Sequence, residues 1–212
     1  MRELRVAYFE RLFEESAALV AEFPLTLEPA SMEYITGVLE PAVEARREHG
    51  QFIEPSPSGN DVDEVASRPA GLNTVGMLLD RLSILAIKHW NLVHRAKKPD
   101  KADELAATQI RELIGALAEA RPGHSSINNK MTAHRAEAEA DSFPRAFFGL
   151  LTTNLLLWEA QEILYNHDIL ALPCEELRAY ILFFSRGNLS RNAYIQSSDQ
   201  LYWTGVKGGA NT

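Results

Sequence analysis

Residues 73–94, NTVGMLLDRLSILAIKHWNLVH, are apolar on two sides of a helix, and this limits the folds open to the chain. Val75, Leu78, Leu82, Leu85, His89 and Leu92 recur at alternating steps of three and four, which sets them on one stripe. Ile84 and Ile87 lie on nearly the opposite side, beside Asp80, Lys88 and Asn91. A helix with two apolar sides is covered on both, so this one is expected at the centre of a helical assembly. Asn73 or Thr74 is placed to cap it, because a short side-chain oxygen accepts from the free amides of the first turn.

The flanking segments repeat the helical period. Residues 5–23 carry Val6, Phe9, Phe13, Leu19, Val20 and Phe23 on one broad face. Ser31 opens a second helix with Ile35, Val38, Leu39 and Val43 inward; Pro41 is expected to kink it and Gly50 to end it. Residues 51–70 are rich in Pro, Ser, Gly and Asp and read as a long surface loop. Beyond the central helix, Asp100 is expected to cap a helix with Leu105, Ile110, Leu113, Ile114 and Leu117 inward, stopped by Pro122-Gly123. Residues 125–140 suggest a short polar helix. Pro144 suits the first turn of the next helix, which reaches about Asn166. Pro173, Glu175 and Glu176 open the last, whose continuity through Gly187 the sequence leaves open. No run alternates apolar and polar residues as a strand would. The expectation is an all-α, single-domain bundle of about six or seven helices over residues 1–203, with a frayed tail at 204–212.

A net charge of −8 argues against a nucleic-acid surface, which needs clustered Lys and Arg. The most apolar run, residues 143–158, is broken by Arg145, Thr152, Thr153 and Asn154, so no membrane span is expected. The lone Cys174 excludes an internal disulfide, and the charged N-terminus lacks the apolar core of a signal peptide. A cytoplasmic protein is expected.

Polar residues stand where leucines would in the last two long helices. Phe147, Leu151, Asn154, Trp158, Gln161 and Tyr165 form one packing seam; Ile181, Ser185, Asn188, Asn192, Ile195, Asp199 and Tyr202 form another. Burying an amide or carboxylate without a partner costs about 1–3 kcal/mol, so these groups should meet one another, water or a ligand. One expectation is a satisfied network that fixes helix register. The other is a pocket floored by Trp158 and Tyr202 and lined by Asn154, Glu162, Asn188, Asn192 and Asp199, suited to a sugar or other hydroxyl-rich molecule.

Other constellations carry less. His89 and His94 face different ways on one helix, and His134 with Glu137 lacks the second Glu-x-x-His of helical di-metal bundles; no metal or other cofactor is expected. Glu159-Ala160-Gln161-Glu162 resembles half of the paired acidic motif of all-helical nucleotide pyrophosphatases, but Asn188, Arg191 and Asn192 stand where the second acidic pair belongs.

Residues 74–88 (TVGMLLDRLSILAIK), 154–159 (NLLLWE) and 188–192 (NLSRN) resemble three motifs of bacterial helical families of unknown function, often encoded near glycosyltransferases of surface-polysaccharide synthesis. The resemblance implies a helical fold and biology linked to carbohydrate. It bears on Asp80, Lys88, Asn154, Trp158, Asn188, Arg191 and Asn192 as ligand-binding residues, to which the seam adds Tyr202. The leading expectation is a protein that binds a polar small molecule, accessory to glycan or secondary-metabolite synthesis. The alternatives are an enzyme with Glu162 or Asp199 as general base and His89 as partner, and a homodimeric interaction protein with a buried polar network.

Overall fold

Thr74 caps the helix that the rest of the molecule surrounds: its hydroxyl accepts from the Met77 amide at 3.3 Å, on an extended backbone. The computed structural model describes residues 2–28, 30–47, 74–120, 140–166, 168 and 171–208. Among them lie six helices and no strand: α1 (Arg2–Glu22), α2 (32–47), α3 (75–95), α4 (99–119), α5 (Phe143–Asn166) and α6 (Cys174–Gly208). The chain is an all-α, single-domain bundle. Among the described residues no helix is long and apolar enough to cross a membrane.

The central helix α3 packs against α1, α4, α5 and α6, as its two apolar sides require. Val75, Leu79, Leu82, Ala86 and Ile87 are fully buried in one core with Phe9, Leu12, Leu117, Phe147 and Leu151. Each large aliphatic side chain removed from water contributes about 1.5–3 kcal/mol, which fixes α3 inside. Leu85, His89 and Leu92, the far half of the expected stripe, are only half-buried.

Three helices contain a wide π-turn, at 35–39, 91–95 and 106–110. The first lies just before Pro41, whose missing N–H and bulky ring disturb the regular ladder; the Glu40 amide reaches back to the Ile35 carbonyl. Ser31 caps this helix by accepting from the Tyr34 amide at 3.1 Å. Ile35, Leu39 and Val43 face inward, but Val38 is exposed, because the extra residue in the turn rotates it off the stripe. The start of α4 also differs from expectation. Pro99 occupies the first turn and Lys98 the cap position, without a side-chain bond, so Asp100 sits inside the helix instead of capping it. Lys97, at φ 53°, makes the left-handed turn that separates α3 from α4.

Helix α6 runs unbroken through Gly187 and on to Gly208, past the expected end at Trp203. It forms an antiparallel hairpin with α5, pinned by glycine at two levels. The Tyr194 ring lies against Gly149, and Leu157 lies where a side chain on Gly187 would stand. At Gly76 the α3 backbone meets the Ile195 carbonyl so closely that only glycine fits. Residues 51–70, Gly50, Pro122-Gly123, His124, His134 and Glu137 lie outside the described residues.

Candidate functional site

Three helices meet through charged and amide groups inside the bundle. Asp80 on α3 is held by Arg191 on α6 in a two-point pair, Nε to Oδ1 at 2.8 Å and Nη2 to Oδ2 at 2.7 Å. Asn154 on α5 donates to Asp80 Oδ1 at 2.9 Å and to Ser83 Oγ at 2.7 Å. Ser83 in turn donates to the Asp80 carbonyl at 2.8 Å. The aspartate side chain is 7% exposed and the arginine 23%, so the junction is interior with one edge toward solvent. Both Asp80 oxygens are engaged, so it is not a free base.

The same interface continues to the start of α3, where Asp199 accepts from the Gly76 amide at 3.1 Å. A carboxylate there also opposes the positive end of the helix dipole. One turn before Arg191, Asn188 donates to the Phe184 carbonyl at 2.9 Å. One turn beyond Asn154, Trp158 is half-buried, and its indole Nε1 is buried with no acceptor among the described residues. The contact of Gly187 with Leu157 places Asn188 at the level of that indole. Lys88, about two turns along α3 from Asp80, and Asn192, next to Arg191, are half-buried and join none of the network's bonds.

The remaining expected residues are not gathered here. Tyr202 stacks on Phe9 and meets Phe143 edge-on, at centroid distances of 5.7 and 5.5 Å. Trp158 lies fifteen residues along α5 from Phe143, about 22 Å of helix, so Tyr202 and Trp158 do not share a floor. His89 packs edge-on against Phe13 of α1, thirteen residues and about 20 Å along α3 from the Gly76 that Asp199 touches. Glu162 turns toward Asn166 at the far end of α5. Glu162, Asp199 and His89 therefore make no common acid–base site; of the four groups expected to line a pocket, Asn154 and Asp199 are paired directly with α3 and Glu162 lies apart with Asn166. Of the two seams, Gln161, Tyr165, Ile181 and Ser185 are exposed.

A second buried pair was not expected. Glu159, with no exposed side-chain surface, receives Arg95 Nη2 on both oxygens at 3.0 and 2.9 Å. Arg95 also donates to Asn91 Oδ1 and to the Thr26 carbonyl, both at 2.7 Å, which ties the segment after α1 to α3 and α5. Burial raises the Glu159 carboxyl above its usual value, Arg95 opposes this, and Glu162 adds to it. Burial raises the Tyr34 phenol as well, with the negative Glu159 adding to the rise. One signal was available in the sequence: Glu159 lies between Leu155 and Ile163 on a single stripe at steps of four, where a solvated charge has no place.

Among the described residues no group of three His, Cys, Asp or Glu side chains is placed to hold a metal ion. No family model, curated protein or solved structure matches the chain.

Proposed function

We propose that the chain is a cytoplasmic binding protein for a polar, hydroxyl-rich small molecule, taken at the solvent edge of the α3–α5–α6 junction. The observation that carries this reading is the Trp158 indole N–H, buried one turn along α5 from Asn154 and without an acceptor among the described residues. A donor in that state costs about 1–3 kcal/mol unless something accepts from it. Asp80 takes Nε and Nη2 of Arg191, leaving the Nη1 donors outside the pair. A flat indole, a guanidinium edge and amides within about two helical turns of one another are the groups that recognise a sugar's hydroxyls and ring face. The likeness of the three motifs to families encoded near glycosyltransferases points the same way, toward glycan or secondary-metabolite synthesis. With every described carboxylate here paired, the reading is binding without chemistry.

Saturation-transfer NMR against hexoses, nucleotide sugars and amino acids tests it. At least one sugar should bind, and Trp158→Phe, which keeps the ring and removes the N–H, should weaken it about tenfold, the worth of one hydrogen bond near 1.4 kcal/mol. A panel that shows no binding at millimolar concentration, or equal binding to Trp158→Phe, removes the proposal. A second reading is favoured by the saturation of Asp80: the network only sets helix register in an interaction protein. It predicts that same empty panel.

A further inference from the structure

A groove on the opposite side of α6 from the polar junction has room, among the described residues, for one more helix. It encloses about 590 Å³ between α2, α5 and α6. Leu156 and Leu157 of α5 form its floor. The α6 wall presents Ala179, the adjacent Leu182 and Phe183, Arg186, Ser190 and Tyr194, otherwise at steps of three and four. The α2 wall presents Glu33, Thr36, Glu40, Glu44 and Arg47, again at steps of three and four. Each wall therefore shows one continuous stripe about 20 Å long, close to four helical turns.

The two walls run in the same direction. Ile35 and Tyr180 share a small apolar cluster at one end, and the Arg47 guanidinium lies 5.7 Å from the Tyr194 ring centre at the other. Leu182 is 46% exposed on the rim, an apolar side chain left at the edge of an apolar floor.

Charge selects the occupant. Glu44 is engaged by Arg47 at 3.1 Å, so that guanidinium is already neutralised. Glu33 and Glu40 remain on the α2 wall, opposed among the described lining residues only by Arg186. The net charge of −8 disfavours a second copy of the same acidic chain against this acidic wall. We infer that the α2–α5–α6 groove docks an amphipathic helix of a partner protein, with its apolar stripe on Leu156, Leu157, Leu182 and Phe183 and its basic flank along Glu33 and Glu40. Apolar anchors at i, i+4 and i+7 provide such binding, and the flanking charges set orientation and partner choice.

The test uses fluorescence anisotropy of the full chain with a labelled helical peptide of about 18 residues, Leu on one stripe and Lys on its flank, against a counterpart with Glu for Lys. The Lys peptide should bind saturably, and more weakly as salt rises. Glu33→Gln/Glu40→Gln should weaken it about fivefold, as expected for two partly exposed ion pairs. Leu182→Asp should abolish binding while circular dichroism shows the fold intact. Glu10→Gln/Glu14→Gln, in the separate α1–α4 groove, should leave it unchanged. Equal binding of the two peptides, indifference to the groove substitutions, or a dimer of this chain dissolved by Leu182→Asp would each overturn the inference.

Discussion

Arg191→Met is expected to cost more stability than any other single truncation in the α3–α5–α6 junction. It strands a carboxylate that is 7% exposed, leaving Asp80 with the Asn154 amide as its remaining side-chain donor. Breaking a buried pair in this way costs about 3–5 kcal/mol, and the solvent edge at Arg191 places this case near 3. Asp80→Leu should cost less, about 2 kcal/mol, because the freed guanidinium is 23% exposed and reaches water. The double variant Asp80→Leu/Arg191→Met strands no charge and replaces the pair by apolar volume. Its cost should fall near 2 kcal/mol instead of the sum of about 5, a coupling of about 3 kcal/mol. Urea unfolding measures all four proteins, provided the m-value stays constant across the set. Single-variant losses that add to within about 0.5 kcal/mol would refute the reasoning, since independent sites behave that way.

Gly76→Ala should destabilise by about 3 kcal/mol in thermal unfolding, because its Cβ meets the Ile195 carbonyl, which belongs to a packed helix and cannot move aside. Gly115→Ala should instead stabilise by about 0.5–1 kcal/mol in the same assay, since its Cβ meets nothing within 4 Å on a helical backbone. Glu159 sets a pH dependence. Its folded carboxyl is raised above the ordinary 4.5 by burial, so in the window just above that value the native state binds the proton more tightly than the unfolded chain. Its contribution to stability therefore grows as pH falls through the raised value. Glu159→Gln should remove that component from the pH profile of urea midpoints, and an unchanged profile would contradict the assignment.

Much of this arrangement was legible from spacing. The helix caps Ser31 and Thr74, the interior position of Asn154, and the two-sided cover of α3 all follow from period and side-chain chemistry. Asp80 and Arg191 carried no such signal of mutual pairing, because a bond between residues 111 apart depends on how two helices cross. The single seam drawn along α6 failed for a geometric reason. A straight helix drifts about 20° per heptad from a seven-residue repeat, so the stripe that is buried at Ile195 and Tyr202 has shifted by about 40° at Ile181, two heptads before Ile195, where it is exposed. The first half of α6 packs instead through Tyr180, with Phe183 and Phe184 against the cluster it shares with α2 and α5. The sequence shows Glu159 only as half of an acidic motif, and its partner Arg95 sits on a π-turn no pattern predicts.

The bond between Arg191 and Asp80 can be seen directly in solution. In a proton–nitrogen NMR spectrum the Arg191 Nε–H should be sharp, slow to exchange with water, and displaced by Asp80→Asn, while exposed Arg186 exchanges fast. An Arg191 Nε–H that exchanges as fast as that of Arg186, and is indifferent to Asp80→Asn, would show that the three helices are not joined there.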